Sequence, residues 1–174
     1  MGYRNLTAAL LTVIWGECAI ADQYSGIARV IDGDTIEVSG QRIRLQGIDA
    51  PEHKQICKRD GVDWRCGREA TRALNDKIDQ KPVRCVEQDR DRFRRIIAKC
   101  YVEDTDISEW LVHNGWALAY VEYSHDYIRA ERFASLERLG IWASEFVMPW
   151  EWRKARSSDG PSTASQIHSQ TNTR

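Results

Sequence analysis

The chain has 174 residues, of which 42% are hydrophobic and 29% charged, a balance that suits one globular domain with a real core. Its 25 basic and 26 acidic side chains leave a formal net charge of −1. That excludes a polycation gripping nucleic acid by its overall charge, so any such binding must come from local basic clusters.

In chain order, residues 1–21 read as a secretory signal peptide. Arg4 supplies the early positive charge, an apolar run follows from Leu6 to Trp15, and Ala19-Ile20-Ala21 forms an A-x-A cleavage site. The run is roughly ten residues long, too short for a bilayer that needs about 20. The mature chain is expected to begin at Asp22, secreted or periplasmic. A lipoprotein signal would want a small residue before Cys18, and Glu17 stands there, so no membrane anchor is expected after cleavage. Cleavage leaves Cys57, Cys66, Cys85 and Cys100, an even set that suggests two disulfides in an exported domain. Three pairings are open in principle, and proximity along the chain suggests Cys57–Cys66 and Cys85–Cys100. The spacings match no zinc pattern.

Residues 26–31, 35–38 and 41–47 read as three short strands rich in β-branched side chains and separated by Asp-Gly and Ser-Gly turns. In the third, Ile43 and Leu45 alternate with Arg42 and Arg44, giving one apolar and one basic face. A polar, cysteine-bracketed loop begins at Pro51. Ala70, Ala73, Leu74 and Ile78 then recur at helical spacing within residues 68–79. Residues 83–87 and 96–102 form a second strand pair. A helix is expected over 106–114, stopped by Gly115, and a last one over 126–139, with Gly140 after it. From Ser157 the chain turns to Ser, Thr, Gln and Asn without apolar periodicity, so 157–174 is expected to be a disordered tail. The domain is thus placed at 22–156. Five strands with an inserted helix are compatible with a small α+β barrel of the OB type, although pattern alone leaves other α+β arrangements open.

Three segments carry unusual chemistry. Asp32-Gly33-Asp34-Thr35 sets two carboxylates around a tight turn. Arg44-Leu45-Gln46-Gly47-Ile48-Asp49-Ala50-Pro51-Glu52 ends a strand with Asp49 and Glu52 close behind, the proline fixing the bend. Asp34 and Asp49 together offer hard oxygen ligands of the kind calcium takes. Asp91-Arg92-Phe93-Arg94-Arg95 loads positive charge before a strand. Read singly, each is also an ordinary turn, a surface ion-pair cluster or a solvated charge run.

Together and in this order, the segments resemble the staphylococcal nuclease family, whose pattern is Asp-Gly-Asp-Thr, then Arg-Leu-x-x-x-Asp-x-Pro-Glu, then Asp-x-Tyr-x-Arg before a strand. Leu118-Ala119-Tyr120-Val121 resembles the aromatic segment after the family's second helix, and Gly140-Ile141-Trp142 the close of its last helix. The resemblance spans about residues 26–143. It implies a five-stranded OB-fold barrel with three helices and a calcium-dependent nuclease that cuts DNA and RNA and leaves 3′-phosphate ends. It further implies Asp34, Asp49 and the carbonyl of Ala50 as calcium ligands, supported by Asp32 and Thr35. Arg44, Glu52 and Arg95 would be the catalytic set, and Arg92 and Tyr120 would contact substrate, preferably single-stranded. A monomer is expected. Departures are Phe93 in place of the family's tyrosine, Arg94 in place of a glycine, Ala50 in place of a threonine, and Glu122 where some members carry an aromatic. The alternative is a non-catalytic OB module that binds single-stranded nucleic acid or a protein, since fold alone does not decide activity.

Overall fold

Alternation of apolar side chains at period two builds the core. The computed structural model describes residues 22–158; the expected signal peptide and residues 159–174 of the expected tail lie outside them. Strand β1 runs Gln23–Asp32, β2 Thr35–Val38 and β3 Gln41–Leu45. After the short β4 (Ile48–Asp49), strands β5 (Cys57–Arg59) and β6 (Val62–Trp64) form a hairpin inside the cysteine-bracketed loop. Strand β7 covers Pro82–Arg90 and β8 Ile96–Val102; β9 (Thr105–Asp106) and β10 (Leu118–Ala119) are short. Along β8, Ile96, Ala98, Cys100 and Val102 are buried in strict alternation, and Ile36, Val38, Ile43, Leu45 and Val83 meet them inside.

β1 pairs antiparallel with β2 and with β7, β2 with β3, and β7 with β8; β3 then closes on β8 in parallel. This is a closed five-stranded OB-type barrel in an α+β chain, as expected. Cys85 and Cys100 face each other directly across β7 and β8, with Cα atoms 4.0 Å apart, and are joined. Cys57 and Cys66 form the second disulfide. Closing a loop of sequence separation 15 restricts the unfolded chain by about 3 kcal/mol in the chain-entropy picture.

The described residues hold four helices rather than three. Helix α1 spans Cys66–Ile78 and buries Ala70, Leu74 and Ile78. It begins two residues before its expected start, at the cysteine tied to Cys57. Helix α2 (Ile107–His113) opens where the Asp106 carboxylate accepts the backbone N–H groups of Ser108 and Glu109. Helix α3 (Ile128–Leu136) is shorter than expected at both ends. Lys99 on the barrel wall holds Asp126 outside it at 2.7 Å, and Gly140–Ala143 form a separate 3₁₀ turn.

The chain does not finish at that turn. A further helix, α4 (Pro149–Ser158), follows, so Ser157 and Ser158 belong to a helix and not to the expected polar tail. Its approach is secured by a small second core in which Leu118, Ile141 and the Cys57–Cys66 pair pack against Trp142, Phe146, Met148 and Trp150. Among the described residues, no helix is long and apolar enough to cross a membrane.

Candidate active site

The site is assembled at one mouth of the barrel. The register of β1 shifts between Val30 and Asp32, and the following turn delivers Asp34 inward. Asp32 steadies this turn by accepting the Gly33 N–H at 2.8 Å. Gly33 is required by close approach, since a Cβ there would lie 2.8 Å from that of Ala50. The Thr35 hydroxyl donates to Asp34 Oδ1 at 2.9 Å. Thr35 pairs across the sheet with Arg44 of β3, so Arg44 rises beside Asp34. Its Nη2 lies 3.0 Å from Asp34 Oδ2 and 2.7 Å from Asp49 Oδ1. Strand β4 supplies Asp49 through pairing with β10, and the Asp49 side chain is fully buried.

Glu52 sits in a turn after Pro51, held from both sides by Gln55. The Gln55 N–H donates to the Glu52 carbonyl at 2.7 Å, and Gln55 Oε1 accepts the Glu52 N–H at 3.2 Å. Fully buried Gln55 also donates to the Val147 carbonyl at 2.6 Å, tying this turn to the approach to α4. The first turn of α1 presses on the same turn. A Cβ on Gly67 would overlap the Glu52 carbonyl oxygen, so glycine alone fits.

Arg153 of α4 completes the cluster. Its Nη1 donates to Asp49 Oδ1 at 3.0 Å and to Glu52 Oε1 at 2.7 Å, while Nη2 donates to Asp49 Oδ2 at 2.9 Å. The neighbouring Trp150 stacks on Tyr120, with centroids 5.6 Å apart and planes 6° from parallel. Arg95 is placed differently. Asp91 holds its Nε at 2.6 Å and its backbone N–H at 2.9 Å, and its guanidinium makes no ion pair with Asp34, Asp49 or Glu52. Arg95 nevertheless lines the same cleft of about 830 Å³ as Asp34, Arg44, Glu52, Arg92, Tyr120 and Arg153. Arg92 leans over the exposed Phe93 ring, 4.8 Å from its centroid. Asp32 and Thr35 also line the cleft, whereas Ala50 is buried beneath it.

The electrostatics follow from burial. Loss of water pushes the Asp49 carboxyl above its ordinary range and the charge on Asp34 adds to this, while Arg153 and Arg44 pull it back. Burial works against the charge on Arg44, but Asp34 and Asp49 outweigh it and hold the guanidinium above its ordinary value. Arg153 is also held above its ordinary value: burial opposes its charge, and its bonds to Asp49 and Glu52 prevail. Asp32 is raised by burial against the pull of the Gly33 N–H. The carboxylates of the mouth are thus matched by two guanidinium groups, as buried charges require.

Among the described residues, no three His, Cys, Asp or Glu side chains gather as a ready metal cage. Two carboxylates do converge on one cationic nitrogen, Arg44 Nη2. That is a donor pair a hard divalent cation accepts, with carbonyls and water completing its shell. The chemistry of Asp34 and Asp49 therefore fits such a cation.

The fold and cleft together define an OB-barrel protein with an arginine–carboxylate site at the barrel mouth. The chain belongs to the staphylococcal nuclease family: residues 42–144, more than half of it, match the model described as "Staphylococcal nuclease homologue". It is 37% identical over 150 residues to the succinoglycan biosynthesis protein ExoI of Rhizobium meliloti (strain 1021), covering 82% of this chain and 77% of that one. It is 30% identical over 158 residues to a protein of Haemophilus influenzae named "Uncharacterized endonuclease", covering 86% and 84%. A micrococcal nuclease of Shigella flexneri is 31% identical over 166 residues, covering 85% and 90%.

Sequence reasoning did not single out Arg153 or Trp150. Their i, i+3 spacing after Pro149 marks one helical face. The contact from Arg153 to Asp49 spans 104 residues, and no local pattern encodes it.

Proposed function

We propose that this chain is a secreted, calcium-dependent nuclease that hydrolyses DNA and RNA at the barrel mouth. The observation that carries the reading is the convergence of Asp34, Arg44 and Glu52 on a cleft that Arg95 also lines, with buried Asp49 paired to Arg44. Asp34 and Asp49 would hold calcium together with the Ala50 carbonyl, Asp32 and Thr35 keeping the turn in place. Bound there, calcium would offset negative charge on a non-bridging phosphate oxygen. Glu52 accepts the proton of the attacking water, or positions it. Arg44 and Arg95 donate paired hydrogen bonds to the phosphoryl oxygens as charge develops, which lysine could not reproduce with one ammonium. Arg92 adds positive charge where the strand enters. The aromatic face of Tyr120 suits stacking on a base, which favours single strands and tolerates many sequences.

By family likeness the phosphorus–5′-oxygen bond breaks, leaving 3′-phosphate ends. Two disulfides support an oxidising compartment, the periplasm or the medium. The test is digestion of single-stranded DNA and RNA with calcium and with a chelator, the products weighed by mass spectrometry. Cleavage in calcium, silence in chelator and 3′-phosphate termini are expected. Binding of single strands without cleavage in calcium would establish the non-catalytic module instead.

A further inference from the structure

Helix α4 brings a cation to Asp49, assigned above to the metal, and to Glu52, assigned above to the attacking water. Arg153 uses two nitrogens to engage both oxygens of Asp49 and shares one of them with Glu52, all within 3.0 Å. Arg44 takes Asp49 Oδ1 as well, so both oxygens of this fully buried carboxylate have guanidinium partners. The Arg153 side chain keeps 37% of its exposure, against none for Asp49, so it has a path out of the cluster. Its helix is fastened elsewhere: Trp150 stacks on Tyr120 and packs against the small core of Leu118 and Ile141. These contacts of α4 do not involve Arg153.

We propose that Arg153 is a positioning residue that competes with the divalent cation for Asp49. Without metal it holds Asp49 and Glu52 together through its two terminal nitrogens. Entry of the cation displaces it, and the metal affinity of the site is set in part by the strength of this internal ion pair. A site whose competent form must first shed an internal occupant binds with an affinity lowered by that occupancy. The proposal rests on the reading of Asp34 and Asp49 as the calcium carboxylates.

The test is isothermal titration calorimetry of calcium alone into the metal-free wild type, Arg153→Gln, Arg153→Lys and Asp49→Asn, with melting temperatures taken with and without calcium. Competition predicts that Arg153→Gln binds calcium on the order of tenfold more tightly than the wild type, a coupling of ordinary size. Arg153→Lys keeps the charge but loses the planar fork, so it should fall between. Arg153→Gln should melt below the wild type without calcium, and saturating calcium should close the gap. A residue that merely fastens α4 would lower the melting temperature equally in both conditions and leave calcium affinity unchanged; that result overturns the proposal. Weaker binding by Arg153→Gln and by Arg153→Lys overturns it too. Asp49→Asn separates the two levels: if it binds calcium like the wild type, the metal assignment itself falls. If it loses binding while both Arg153 variants match the wild type, only the competition falls.

Discussion

Asp49 exposes no part of its side chain, yet two guanidinium groups reach it. A carboxylate so placed contributes little to folding on its own, because the cost of leaving water offsets its ion pairs. Under the proposed function, that buried charge is a calcium ligand. Glu131 on α3 is a second inward carboxylate, with a structural task. It accepts the Ala119 N–H at 3.0 Å, pinning β10 one residue before Tyr120. Burial raises its pKa above the ordinary value, and the Ala119 N–H only partly opposes this. A proton is therefore held more firmly in the folded chain than in the unfolded one. The stability this lends is fully present below the unfolded carboxyl range, at about pH 4.3, and is lost as pH rises through the folded value. Glutamine keeps an acceptor and carries no charge. Glu131→Gln should thus be more stable than the wild type at pH 7, with the difference narrowing towards pH 4 in urea denaturation. A difference that does not change with pH would contradict this account.

Elements place these residues by a few close approaches. The start of α1 and the Glu52 turn touch backbone to backbone at Gly67, with Gln55 bonded to both sides of the turn. Gly67→Ala would force the helix and the turn apart. The expected cost is about 1–3 kcal/mol, with a loss of nuclease rate because Glu52 moves; denaturant melts and single-turnover rates check both. Retained stability with wild-type rate would show that the turn yields freely. The same elements show what was legible beforehand. Strands β3 and β8 announce themselves by period-two alternation, β1 and β2 by β-branched residues between Asp-Gly and Ser-Gly turns, and α1 by Ala70, Leu74 and Ile78. Helix α4 was not legible. Arg153 and Trp150 meet Asp49, Glu52 and Tyr120, which lie from 30 to 104 residues away in the sequence. The start of α3 falls after Asp126, a good helix starter whose carboxylate is paired with Lys99 of β8.

At the scale of the whole molecule, barrel closure gathers residues that the chain keeps far apart. Parallel pairing of β3 with β8 sets Arg44 opposite Ile97, two residues beyond Arg95, and so brings both arginines to one cleft. The paired motifs announced the cleft's composition, because turns and strand ends keep their chemistry in short runs. They did not announce that the C-terminal helix would share it. The nuclease account asks Arg44, Glu52 and Arg95 to act together on one phosphate, and the most direct measurement is the rate of single-stranded DNA cleavage in calcium by Arg44→Ala, Glu52→Ala and Arg95→Ala, each checked for native circular dichroism. Each variant is predicted to lose on the order of 10²–10³ in rate; cleavage undiminished in all three would contradict the account.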